Sequence, residues 1–232
     1  MLISIHMPKT AGLSFRASLE AHFGERFRHD YQDYPLAQPA TARREQARQW
    51  GEVATAADFQ GVDCVHGHFL PLKYLQLAET LPCTFVTWLR EPVARLVSHY
   101  YYWQRSYDPA SGLTSALHRR VIEEKWSLEQ FCLAPELRDV YSEFLWGFPA
   151  ERLDFIGITE FFEEDLRYFS QKFLGNKMQP QTLNRGGSGQ GGESVGTLCA
   201  ADRAQIEAAH ALDVSLYRGA LGARASRLAG QA

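Results

Sequence analysis

Leu2-Ile3-Ser4-Ile5-His6-Met7-Pro8-Lys9-Thr10-Ala11-Gly12-Leu13-Ser14-Phe15 is the stretch whose reading decides the fold. Residues 2–7 form a short apolar run with the character of a buried strand. Pro8 ends it. Gly12 to Phe15 open a helical pattern that places Phe15 and Leu19 on one face. A strand therefore enters a tight turn and a helix leaves it. Backbone N–H groups at such a helix start favour a bound anion. Lys9 adds a full charge, and the Thr10 and Ser14 hydroxyls add donors. The competing reading is a surface turn with a solvated lysine.

The same alternation continues outward. Further strands are expected at 62–66, 83–89 and 153–158, where the residues are apolar, β-branched or aromatic. Helices are expected at 40–57, 72–79, 92–104, within 126–147, at 161–174 and at 200–216. Short apolar strands alternating with helices predict an α/β domain, a mainly parallel sheet flanked by helices. The 232 residues fit one domain spanning 1–232, with a tail that frays from about residue 222. A Gly/Ser-rich stretch at 186–196 reads as a loop that contacts an anion or closes as a lid.

Composition narrows the function classes. Lys and Arg number 24 against 27 Asp and Glu, a net charge of −3. That balance gives no global drive toward nucleic acid or an anionic membrane. Cys64, Cys83, Cys132 and Cys199 show no C-x-x-C spacing, so neither a zinc knuckle nor a redox pair is indicated. Reduced thiols and a cytoplasmic chain are expected. No stretch approaches the roughly 20 apolar residues of a membrane span. Strand-like sequence begins at Leu2, so no signal peptide is expected.

Two further constellations bear on chemistry. Arg90 ends a strand, Pro92 starts a helix, and Ser98 lies two turns along it. Ligands of open α/β sheets bind beyond the carboxyl ends of the strands. Lys9 and Arg90 both fall there, so two cations from different strands are placed to grip one polyanion. The alternative for Arg90 is a salt bridge at the sheet end. His66-Gly67-His68 closes another strand, and residues two apart point the same way. Both imidazoles are expected to face the cleft. A general base needs one of them; a metal site needs further ligands; a structural pair needs neither. A triphosphatase loop is poorly matched, because Pro8 replaces the glycine before the lysine and no strand ends in a magnesium-binding Asp.

Together PKTAGLSF (8–15), HGH (66–68) and LREPVARLVSHYYY (89–102) resemble the sulfotransferases that use 3′-phosphoadenosine 5′-phosphosulfate (PAPS). The likeness is to the carbohydrate branch typified by heparan sulfate 2-O-sulfotransferase, over residues 3 to about 184. It implies a P-loop-like fold and PAPS as donor, with no metal. It assigns Lys9, Thr10, Ala11, Gly12, Leu13 and Ser14 to the 5′-phosphosulfate, and Arg90 and Ser98 to the 3′-phosphate. His66 and His68 become the catalytic pair, with His68 the base and Lys9 stabilising the leaving phosphate. Asn184 and Arg185 would lead a loop that closes over the nucleotide. Arg16, Arg95 and Arg105 are candidates to line a groove for an anionic saccharide acceptor, and a homo-oligomer is allowed. Relatives in the Golgi carry a membrane anchor, so this chain is expected to be a bacterial cytoplasmic enzyme. The alternatives are a metal-dependent nucleotide kinase or NTPase, and a non-catalytic nucleotide-binding protein.

Overall fold

Five short strands pair in parallel throughout: β1 (Leu2–Ile5), β2 (Phe27–His29), β3 (Cys64–Gly67), β4 (Thr84–Leu89) and β5 (Leu153–Ile158). The computed structural model describes residues 1–33, 39–112, 114–175, 178 and 198–230. Strand order is β2-β3-β1-β4-β5. The chain winds outward from β1 to the β2 edge, returns through β3, and then crosses to β4 and β5. The carboxyl ends of β3, β1 and β4 therefore lie side by side at the point where the winding reverses.

Nine helices accompany the sheet among the described residues. The first five are α1 (Gly12–Phe23), α2 (Ala40–Val53), α3 (Pro92–Ser106), α4 (Ala116–Glu123) and α5 (Leu128–Leu133). The others are α6 (Val140–Phe144), α7 (Phe162–Leu174), α8 (Ala200–Ala209) and α9 (Ala211–Ala229).

Strand periodicity sorts the side chains onto two faces. Val86 and Trp88 of β4 join Phe15 and Leu19 of α1 and Leu166 and Phe169 of α7. Phe85 and Leu89 turn the other way, toward Phe144 of α6 and Tyr217 of α9. Beyond the strand ends, Leu96 and Trp103 of α3 pack with Val121 of α4, Phe131 of α5 and Ile206 of α8. Burial of each such side chain stabilises by about 1.5–3 kcal/mol.

Several expected boundaries moved for physical reasons. Residues 72–79 form two 3₁₀ turns, Pro71–Tyr74 and Leu77–Glu79, rather than a helix. Lys73 there points inward onto Asp30 (2.8 Å) and Asp33 (3.2 Å). The terminal helix is two helices that break at His210, whose Nε2 donates to the Cys132 carbonyl at 2.7 Å. Past residue 222, α9 runs on to Ala229, and Arg224 is buried against Asp165 at 2.9 Å and Glu164. Strand β2 and helix α4 were not expected.

Asp139, His210 and Asp213 cluster closely enough to suggest a metal site. Their atoms are already engaged. Asp213 accepts from the Tyr141 and Ser142 amides at 3.0 Å, and Asp139 accepts from the Leu212 and Asp213 amides at 3.2 Å. His210 Nδ1 accepts from the Asp139 amide at 3.2 Å. The cluster joins two helix starts by reciprocal capping. No helix among the described residues is long and apolar enough to cross a membrane.

Candidate active site

The turn after β1 is built from unusual backbone. Lys9 (φ 67°) and Ala11 (φ 60°) both occupy the left-handed region, which costs a side-chain-bearing residue of order 1–3 kcal/mol. Such alternating turns curve successive N–H groups into an anion-binding concavity. The Thr10 hydroxyl donates to the Met7 carbonyl at 2.8 Å and closes the turn. Ala11 precedes α1 and offers no side-chain cap. The Ser14 and Phe15 amides bond back to the Ala11 carbonyl at 3.1 and 3.2 Å. Gly12 and Leu13 N–H groups have no acceptor in a preceding turn and remain suited to an anion.

The other walls come from the neighbouring strand ends. Tyr141 clamps Arg90 at the end of β4: its hydroxyl accepts from the Arg90 amide at 3.0 Å and donates to the Arg90 carbonyl at 2.8 Å. Glu91 then caps α3, accepting from the Val93 and Ala94 amides at 3.1 and 2.8 Å. Pro92 suits the first turn, where no N–H is needed. Helix α3 so placed brings Ser98, His99 and Tyr102 toward the turn after β1. The Lys9 ammonium lies 4.0 Å from the centre of the Tyr102 ring.

The H-G-H spacing has its own cause. A Cβ at Gly67 would lie 1.5 Å from the Asp30 carbonyl oxygen, so this position admits no side chain. The flanking histidines share the opposite face. His68 Nδ1 lies 2.5 Å from the carbonyl oxygen of His6. A carbonyl only accepts, so Nδ1 carries the proton and Nε2 carries the lone pair. Burial pushes the His68 imidazole down to about 4, partly opposed by that hydrogen bond, so its lone pair persists through neutral pH. An anion entering beside it would raise that value.

These groups meet around one cavity of about 310 Å³. Lys9, Ala11, Gly12, Leu13, Ser14, His68, Arg90 and Ser98 line it. His6, Pro8, His99 and Tyr102 line it too, and sequence reasoning missed them as site residues. The missed signal was register: Ser4 pairs with His66 and Ile5 with Gly67, which puts His6 beside His68.

The other predicted residues lie outside this cavity lining or outside the described residues. His66 does not line the cavity; it is buried, and its Nδ1 is 2.8 Å from Ser4 Oγ. Thr10 is buried beneath the turn rather than facing the cavity. Arg95 is 0% exposed, with its guanidinium centre 5.4 Å from the Tyr141 ring centre, and does not reach the cleft. Arg105 is exposed on the last turn of α3 and is not among the lining residues. Arg16 pairs with Glu20 at 3.6 Å and also lies outside the lining. Asn184, Arg185 and the 186–196 loop fall outside the described residues.

No family model matches the sequence, and no curated protein does. The solved structures that this chain matches include two sulfotransferases. A sulfotransferase from Alicyclobacillus acidocaldarius is 15% identical, with 92% of each chain covered and a TM-score of 0.43. Mouse sulfotransferase SULT7A1, complexed with PAP, is 12% identical, with 92% of this chain and 64% of that chain covered and a TM-score of 0.37.

Proposed function

We propose that this protein is a sulfotransferase that moves the sulfuryl group of PAPS to a hydroxyl of a saccharide acceptor. One observation carries the reading: Lys9, the start of α1, His68, Arg90 and Ser98 converge on one cavity from separate elements. The turn and Lys9 suit the 5′-phosphosulfate, and Arg90 and Ser98 suit the 3′-phosphate. Each group meets an anion with donors, as the chemistry of PAPS requires.

In the transfer, the bond from sulfur to the bridging phosphate oxygen breaks as the acceptor oxygen bonds to sulfur. The phosphate gains charge, which Lys9 and the first-turn amides stabilise. The acceptor proton passes to His68 Nε2, the nitrogen that the His6 carbonyl leaves unprotonated. The products are PAP and a sulfate ester. The saccharide class rests on the likeness of HGH and LREPVARLVSHYYY to the heparan sulfate branch. Incubation with ³⁵S-labelled PAPS, a panel of uronic-acid and hexosamine oligosaccharides and excess chelator tests it. Label transferred to an oligosaccharide is expected. Transfer only to non-sugar alcohols would overturn the acceptor class, and phosphoryl transfer from ATP in a parallel magnesium assay without chelator, with no label moved from PAPS, would overturn the reaction.

A further inference from the structure

We propose that His6 is a positioning residue for His68: its carbonyl selects the His68 tautomer and its ring sets the plane of the His68 imidazole. The proposal rests on the reading of His68 as the base.

Three observations support it. The parallel register pairs Ser4 with His66 and Ile5 with Gly67, so His6 and His68 each follow one residue past neighbouring strand ends, and the His6 amide donates to the Gly67 carbonyl at 2.8 Å. The His6 carbonyl then accepts from His68 Nδ1 at 2.5 Å. The His6 ring also stacks on His68, with centroids 4.3 Å apart and planes 23° from parallel.

His6 is itself held by its neighbours while one part of it lines the cavity. Its ring stacks on His66 at 5.0 Å and 27°. Its Nδ1 lies 3.3 Å from the Tyr31 hydroxyl. At Gly12 a Cβ would come within 1.8 Å of His6 Nε2, so the missing side chain makes room for the ring. His66, His68, Arg16 and Lys9 act on His6 electrostatically and all disfavour its protonation, as burial does most. The stack is thus neutral, and a proton arriving at His68 meets no charged imidazole beside it.

The consequence is chemical. A His68 ring flipped end for end, or in the other tautomer, would present an N–H where a lone pair is required. Catalytic groups must be held within roughly 0.5 Å and 10–20° of productive geometry.

The test is ¹⁵N NMR of the full chain labelled at histidine, at pH 7.5 without donor or acceptor. The wild-type protein is expected to show His68 with a protonated Nδ1 and a bare Nε2. Both substitutions at residue 6 keep the backbone carbonyl, so they test the ring: His6→Phe, which keeps an aromatic face, should retain that pattern. His6→Ala, which removes the ring that fixes the imidazole plane, should let His68 turn off the carbonyl and give averaged shifts, and with PAPS a kcat lower by ~10–100-fold at a donor KM within about threefold. An unchanged His68 spectrum in His6→Ala would overturn the proposal. If His6→Ala does not fold, mixed tautomers in the wild type or in His6→Phe would overturn it. The expected spectra without any sulfuryl transfer would sink the base assignment while leaving the tautomer selection standing.

Discussion

At Lys9 the backbone is bent into the left-handed region, and the side chain reaches the cavity beside His68. In the proposed transfer, Lys9 meets the charge that develops on the leaving phosphate and His68 takes the acceptor proton. Lys9→Ala and His68→Ala should each lower kcat at least ~100-fold with folding intact. Single-turnover kinetics on purified variants checks this, and near-normal turnover in either removes its assigned role. Most of this constellation was legible because Lys9, His68 and Arg90 each sit where a strand pattern stops. His6 and His99 were not legible as a site, since only strand register and the course of α3 bring them in. Arg95 was misplaced for a related reason: it lies three residues before Ser98, and on a helix that spacing does not by itself say which face meets the core. The structure turns it inward against Tyr141.

Among the elements, the join of β4 to α3 is the most specific construction. Arg90 is held by its backbone on both sides through Tyr141, which is 0% exposed. Tyr141→Phe would leave a buried amide and carbonyl without that partner, a cost of about 1–3 kcal/mol. It should lower the denaturation midpoint and weaken PAP binding about tenfold, although residue 141 does not line the cavity. Calorimetric titration and urea melts measure both; an unchanged affinity would show that the clamp does not place Arg90. Strands β1, β4 and β5 were readable from their apolar runs, and β5 falls on the expected residues. Strand β2 was not: Phe27-Arg28-His29 is short, half-exposed and polar, and only pairing with β3 makes it a strand. The 3₁₀ turns at 71–79 were read as helix because the inward pull of Asp30 and Asp33 on Lys73 leaves no periodic trace.

For the molecule as a whole, the fold buries an unusual set of imidazoles. His6, His66, His68, His99 and His210 are all held below their ordinary 6.5, each mainly by burial. The unfolded chain therefore binds more protons as pH falls below 6.5, and stability falls with it. Each imidazole kept neutral costs about 1.4 kcal/mol per pH unit below that point, until its own folded-state value is reached. Asp33 and Asp213, raised by burial, act in the opposite sense, because the fold takes up their protons first. With five histidines against two carboxylates, the melting temperature should drop steadily from pH 7 to 5. A flat or rising profile would contradict the burial of the imidazole set. The alternating pattern of strands and helices made the parallel sheet legible in the sequence, but the continuation of α9 past residue 222 depends on Arg224 meeting Asp165, a contact 59 residues apart. Ligand linkage is also a property of the whole fold. PAP at ~100 times its Kd should stabilise the protein by about 2.7 kcal/mol. The measurement to make is therefore the thermal shift with PAP in excess chelator, for the wild type and Arg90→Ala. A metal-independent shift that Arg90→Ala abolishes is expected; no shift with PAP, alongside a magnesium-dependent one with ATP, would contradict the proposed donor site.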